Sequence, residues 1–144
     1  MPRRVKPPSS LQPLGLAIKR LQHRHHGMLE SRLAVEGGTF AQWHALRTIA
    51  QHPDSSSHRL AQLTFQTDQS FGGLANRMVE RGLIERVPGG GRTLLHRLTP
   101  DGEAMLARGH AIADAVLEES FAPLSTAERA QLAALLGKLL GEEG

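Results

Sequence analysis

Residues 67–102 constrain the fold of this chain more than any other stretch. Apolar residues at helical spacing run through its first part and stop at Gly82. Two short apolar-rich segments follow, LIERV and TLLHRL, and the residues PGGGR lie between them. Because glycine adopts the positive φ angles that tight strand connections need, these segments predict a β-hairpin with Arg92 at its tip.

The residues before the hairpin predict two short helices joined by a turn. Ser55-Ser56-Ser57 offers hydroxyl groups for an N-cap, and HRLAQLT gives a third helix of the chain. Phe65-Gln66 turns the chain, and Thr67 or Asp68 caps the fourth helix. The inward face of that helix is predicted to carry Phe71, Leu74, Ala75, Met78 and Val79. Helix, turn, helix and hairpin in this order are typical of a winged helix-turn-helix, which places its second helix in a DNA major groove.

Four longer helices surround this unit. The first is predicted from Leu11 to the Gly37-Gly38 pair, and the second from the cap Thr39 to His52-Pro53-Asp54. The fifth opens at Thr99-Pro100-Asp101 and runs to about Ser120, and the sixth follows a capping box at Ser125. The order is ααααββαα, with room for a very short strand near Ser55–Ser57 that pairs with the hairpin. The expected fold class is mainly α with a small β-hairpin wing.

Charge and composition narrow the function. Residues 57–97 hold six arginines and three acids, whereas residues 98–144 hold three bases and eight acids. A basic middle beside an acidic end suits a protein whose middle meets phosphate. The chain has no cysteine, no apolar run long enough for a membrane span, and no catalytic motif. We expect a cytoplasmic protein that is not an enzyme, needs no cofactor and does not contact a membrane.

Four local patterns resemble the MarR family of transcriptional regulators. TFAQWHAL at residues 39–46 is similar to the family's LTxxQWxVL, and LAQL at residues 60–63 to its ELAxxL. LANRMVERGLIE at residues 74–85 resembles LVxRLExRGLVE, and residues 92–102 resemble the second wing strand and the LTxxG entry into the fifth helix. The resemblance covers about Leu11 to Leu140, with the four patterns in the family's order and at its spacing.

The resemblance implies a homodimer on a pseudo-palindromic operator, acting as a ligand-responsive repressor. The dimer would be obligate, with interlocked N- and C-terminal helices from residues 1–36 and 100–144, and residues 37–99 would form the DNA-binding domain. The apolar stripes at both chain ends support an interface independently, because 144 residues leave little chain to cover them.

The residues expected to contact double-stranded DNA lie on the third helix, the fourth helix and the wing. They are Ser57, Arg59, Thr67, Gln69, Ser70, Gly73, Arg77 and Arg92. Two features depart from the family pattern. Gly90 occupies the place of the acid that holds the wing arginine in relatives. Gly72-Gly73 lies inside the fourth helix, which indicates either a close approach of the backbone to DNA or a frayed, weakly specific helix.

An effector pocket is expected where the first, second and fifth helices meet. The residues assigned to it are His25, Trp43, His44, Arg47 and His110, whose cationic groups favour a small anionic or aromatic effector. The main interpretation includes no metal site. The alternatives are a zinc-responsive regulator with His44, His110 and Asp114 as ligands, and a winged-helix protein-interaction module that does not bind DNA.

Overall fold

The computed structural model describes residue 3 and residues 9–142, within which six helices and three strands form. The helices are α1 (Leu11–Val35), α2 (Phe40–Gln51), α3 (Ser57–Leu63), α4 (Asp68–Glu80), α5 (Pro100–Phe121) and α6 (Thr126–Leu140). The strands are β1 (Ser55–Ser56), β2 (Ile84–Pro88) and β3 (Leu94–Leu98). The predicted order is confirmed, as is the mainly α fold class with a small wing.

Hydroxyl caps set where five of these helices begin. Thr39, Ser56, Thr67, Thr99 and Ser125 each accept a hydrogen bond from the backbone N–H three residues further on. Each bond satisfies a backbone donor that the first helical turn leaves without a partner. The predicted caps of α2, α5 and α6 are confirmed, and Thr67 rather than Asp68 caps α4.

The three strands form one antiparallel sheet in the order β1-β3-β2. Ile84 pairs with Leu98 at the base of the hairpin, and Ser55 of β1 pairs with His96 on the other edge of β3. The very short strand expected near Ser55–Ser57 is therefore confirmed. At the hairpin tip Gly90 and Gly91 have φ angles of 100° and 60°, a region that side chains disfavour.

Two apolar clusters hold the chain together. The first joins α2, α3, α4, the start of β2 and α5. Of the predicted inward residues of α4, Phe71, Leu74, Ala75 and Met78 are buried in it, and Val79 is partly buried against it. The second joins α1, α2 and α5 around Trp43, which is 7% exposed. A Cβ atom on Gly109 of α5 would overlap the Trp43 indole, so glycine is required there for α5 to approach α2.

The ends of the chain remain uncovered. No residue of α6 is buried, and large apolar side chains on the first half of α1 are exposed as well. The most exposed of these are Leu11 at 69%, Leu139 at 74% and Leu140 at 69%. None of the helices within residues 9–142 has both the length and the apolarity to cross a bilayer.

Candidate nucleic-acid interface

Helix α4 has one buried face and one open face. Phe71, Leu74, Ala75 and Met78 form the buried face, at the three- and four-residue spacing of an amphipathic helix. Gln69, Gly73 and Arg77 follow one another at four-residue steps on the opposite side, and Gln69 and Arg77 are exposed. The structure thus presents a helix with an accessible face of the size that a major groove admits.

The turn before α4 is fixed by hydrogen bonds that engage two of the predicted DNA contacts. The Thr67 hydroxyl accepts from the backbone N–H of Ser70 at 3.0 Å, and the Ser70 hydroxyl donates to Oε1 of Gln66 at 3.2 Å. Both hydroxyls therefore already order the start of the helix. Gln69 lies between them with its side chain in solvent, which leaves its amide available for a base edge.

Helix α3 carries two further predicted residues on its first turn. Ser57 is its first residue and is half-buried, and Arg59 is exposed. The backbone N–H of Arg59 donates to the capping hydroxyl of Ser56 at 3.2 Å, so the main chain of the arginine is anchored at the start of α3. An exposed guanidinium on the first turn of α3 suits a phosphate contact.

The wing carries Arg92 on its exposed tip, directly after Gly91. Its base is tied to the domain by Arg97 of β3, whose Nε donates to Oδ1 of Asp54 at 2.5 Å. This bond and the Asp54 charge raise the pKa of Arg97 above its usual value. The hairpin is therefore held at its base, while Gly90 and Gly91 directly precede Arg92 at its tip.

A buried histidine connects the wing to α4. His96 of β3 is 1% exposed, and its Nδ1 lies 3.0 Å from the Ser55 carbonyl oxygen. Its Nε2 accepts from Nε of Arg86 at 3.4 Å, and the same guanidinium donates to Oδ1 of Asn76 on α4 at 2.7 Å. Burial lowers the pKa of His96; the Ser55 hydrogen bond opposes this and the Arg86 charge adds to it.

One side-chain contact between the two helices of the helix-turn-helix was not predicted from the sequence. His58 of α3 and Asp68 of α4 lie with the histidine Nδ1 2.9 Å from Oδ1 and 3.1 Å from Oδ2 of the carboxylate. The two residues are ten positions apart on different helices, so no periodic pattern points to their contact. The contact can be inferred only once it is known that the turn at Phe65-Gln66 brings the starts of α3 and α4 together.

Four of the five predicted effector residues gather on α2 and α5. The Trp43 ring meets the His110 ring edge-on at 5.8 Å between centroids, and the Arg47 guanidinium carbon lies 5.8 Å from the Trp43 ring centre. His44 is on the same helix, and burial and the Arg47 charge lower its pKa. Within the described residues, the buried Nε1 of Trp43 has no hydrogen-bond partner.

The fifth predicted effector residue, His25, lies elsewhere. Its Nε2 is 2.6 Å from the Ser120 hydroxyl and its ring contacts Phe121, near the end of α5. The neighbouring His26 instead contacts Phe40, which stacks on His44. Helical phase explains the difference, because consecutive residues of α1 point about 100° apart.

The alternative zinc site is not assembled by the fold. Among residue 3 and residues 9–142, no three histidine, cysteine or acidic side chains are close enough to hold a metal ion. His44, His110 and Asp114 therefore do not form a ligand set within one chain, since zinc sites need three or four protein ligands.

A helix-turn-helix followed by a β-hairpin, which pairs with a short strand that precedes the two helices, defines a winged-helix DNA-binding protein. The sequence profile of the MarR family matches residues 37–93, which span α2 to the wing tip. A probable transcriptional regulator from Pseudomonas aeruginosa is 30% identical, with 88% of this chain and 96% of that chain covered and a TM-score of 0.73. The chain belongs to the MarR family of winged-helix transcriptional regulators.

Two further solved structures are similar over almost the whole chain. A cysteine-to-serine mutant of MarR from E. coli, in complex with operator DNA, is 26% identical, covers 90% of this chain and 95% of its own, and has a TM-score of 0.77. A MarR family protein from Mycobacterium tuberculosis, in complex with salicylic acid, is 26% identical, covers 88% and 96%, and has a TM-score of 0.73. No curated protein matched the chain.

Proposed function

We propose that this chain is a ligand-responsive transcriptional repressor that binds a pseudo-palindromic operator as a homodimer. The observation that carries the proposal is the open face of α4 flanked by the basic wing, in a fold similar to that of the E. coli regulator bound to operator DNA. Occupation of an operator by such a dimer would block transcription by occlusion. The structure of a Mycobacterium tuberculosis MarR family protein in complex with DNA supports the DNA binding that this proposal requires.

Uncovered apolar surface at the chain ends supports the homodimer. A groove of about 400 Å³ between α5 and α6 is lined by Leu117, Phe121, Leu132 and Leu136 together with charged side chains. Water would solvate this surface in a monomer at a cost of about 25 cal/mol per Å² of apolar area. Residues 9–36 and 100–142 would supply the interface, and the corresponding segments of a second copy would fill the groove.

The proposed DNA contacts divide by chemistry. Gln69, with an amide that can pair with adenine in two hydrogen bonds, and Ser70 would read bases at the start of α4. The phosphate contacts would come from Ser57, Thr67 and Arg77 near the groove walls and from Arg59 and Arg92 on either side. Gly73 would allow the helix backbone to approach the DNA closely.

The DNA-binding test uses the wing arginine. Wild type should shift fragments that contain its operator in a gel, with an affinity that falls as salt rises because bound counterions are released. Arg92→Ala should weaken binding about tenfold and lower the slope of log affinity against log salt by about one. Arg108→Ala on α5 is the matched control. Equal affinity of Arg92→Ala and wild type at two salt concentrations would remove Arg92 from the interface.

The effector is proposed to be a small aromatic carboxylate bound beside Trp43. The salicylic acid complex of the Mycobacterium tuberculosis relative supports this, as do the cationic Arg47 and the unpartnered Trp43 Nε1–H. Such a ligand acts only if it prefers the conformation that cannot bind DNA. Calorimetry with salicylate should give heat, and salicylate should reduce DNA affinity.

Trp43→Phe sharpens the ligand test. It keeps an aromatic ring in the second apolar cluster but removes the indole N–H, so salicylate affinity should fall about fivefold, the typical effect of one lost hydrogen bond. DNA affinity without ligand should stay unchanged. A zinc-dependent heat with no response to salicylate would instead favour a metal site built between two chains, and no DNA binding at all would favour the protein-interaction module.

A further inference from the structure

We propose that Asp68 is a base-reading residue that selects cytosine in each half-site, and that His58 holds its carboxylate in place. The inference rests on the proposed DNA binding and adds a specificity-determining pair to it. Carboxylates accept hydrogen bonds from the N4 amino group of cytosine, which cytosine presents in the major groove.

Asp68 is available for this contact because it does not serve as the helix cap. Thr67 fills that role through its hydroxyl, and the Asp68 side chain, at the first position of α4, is 67% exposed. A carboxylate has about four acceptor positions. The single Nδ1–H of His58, 2.9 Å from one oxygen and 3.1 Å from the other, leaves most of them open.

An acid facing phosphate groups needs its charge offset. The N-terminus of α4 supplies a partial positive charge, and the hydrogen bond from His58 also stabilises the carboxylate. The negative charge of the Asp68 carboxylate is unfavourable near DNA phosphate unless a donor group on a base compensates for it. The acid therefore discriminates between sequences. A cytosine N4 amino group placed next to Asp68 recovers the cost of bringing the carboxylate near phosphate, whereas the N6 amino group of adenine lies beside the N7 acceptor, which repels a carboxylate.

The helix surface beside Asp68 is clear. Gly72 lies one turn further on the same face, and a Cβ atom there would have no protein atom within 4 Å. No internal contact of the chain therefore requires a glycine at this position. The glycine also lowers the stability of helix α4. The missing side chain opens the space that a base pair needs to reach the carboxylate.

His58 is a positioning residue. It stands on α3 and binds the first residue of α4, so the pair fixes the carboxylate relative to both helices of the helix-turn-helix. Because the His58 side chain is 68% exposed, the contact contributes orientation rather than a buried core interaction.

The experiment selects operators from random duplex DNA with the full-length wild type, Asp68→Asn and His58→Ala. Wild type should show one position in each half-site where cytosine is preferred about tenfold over other bases. Asp68→Asn should change that preference to adenine, since an amide pairs with the N6 and N7 of adenine. His58→Ala should weaken the cytosine preference there and leave every other position unchanged, and His58→Gln should restore part of it.

Asp101→Asn is the matched control, since Asp101 is an exposed acid in the first turn of α5 and its loss changes net charge equally. An unchanged cytosine preference in Asp68→Asn, or a rise in affinity for all sequences alike, would overturn the inference and leave the proposed function standing. A wild type that selects no sequence would overturn the proposed function and this inference together. Thermal unfolding of each variant shows whether α4 is intact.

Discussion

The imidazole of His96 links all three strands of the wing sheet. It stands on β3, its Nδ1–H donates to Ser55 of β1, and its Nε2 accepts from Arg86 of β2. Both ring nitrogens have partners only when the ring is neutral with the proton on Nδ1. A second proton would meet the Arg86 guanidinium, so the folded wing favours the uncharged imidazole.

Stability should therefore fall in acid because of His96. Its folded pKa is lowered from the ordinary value of 6.5, so the unfolded chain takes up a proton first as the pH falls. The contribution to stability is complete above about pH 6.5 and decreases below it toward the folded pKa. Urea unfolding at a series of pH values should show a weaker acid dependence for His96→Val than for wild type; identical pH profiles would exclude this role.

At the scale of single residues, the sequence predicted what depends on local spacing. The caps Thr39, Thr99 and Ser125 follow from one hydroxyl placed before a helical pattern, and the burial of Phe71 and Met78 follows from helical periodicity. The contact between His58 and Asp68 depends on how two helices meet at a turn, which no short pattern encodes. The displacement of His25 from the effector cluster depends on the rotation of α1 about its axis.

Among the elements, α4 is built against its own propensity. Gly72 and Gly73 lie in its interior, and each is expected to cost about 1 kcal/mol relative to alanine. A Cβ atom on Gly73 would meet only the end of the Arg77 side chain at 3.6 Å, an ordinary contact. The folded chain has room for a methyl group at this position, so a steric requirement would have to come from a bound partner.

Gly73→Ala should stabilise the protein and weaken its binding to DNA. The helix gains about 1 kcal/mol, seen as a rise in melting temperature, while the new methyl group holds the DNA backbone away and reduces operator affinity. Gly15→Ala in α1 is the control for the melting temperature alone, since that glycine is also inside a helix with open space around it but lies in the proposed dimer interface. It should raise the melting temperature by a similar amount. Undiminished DNA binding by Gly73→Ala would indicate a glycine without a function in the DNA interface.

The elements themselves were largely predictable because their ends carry strong signals. Gly82 after α4 and the three glycines between β2 and β3 mark a helix end and a hairpin tip, and the structure has both. The sequence signal for β1 is the weakest of the nine elements within residues 9–142, because two consecutive serines have no strand pattern. It forms because Ser55 and Ser56 pair with His96 and Leu95, partners that lie some forty residues away.

At the scale of the whole molecule, the winged domain and the chain ends differ in how much of their apolar surface is buried. The first apolar cluster closes on itself around Leu46 and Phe71, whereas α6 contributes no buried residue and the start of α1 is exposed. A sequence pattern predicts that these stripes need a cover but cannot say which surface supplies it. A second copy of the chain is the proposed cover, and that proposal can be tested at one leucine.

Leu139→Glu should separate the proposed dimer into monomers. The Leu139 side chain is 74% exposed in the single chain, so a charge there disturbs no internal contact but would be buried without a partner in an interface. Light scattering should give about twice 15.6 kDa for wild type and 15.6 kDa for the variant. Operator affinity should fall about a hundredfold or more, because two linked half-site contacts become independent.

Gln131→Glu, which adds the same charge to an exposed polar position of α6, should remain dimeric. A wild type of monomeric mass, or a variant that keeps the doubled mass, would contradict the assignment of α6 to the interface.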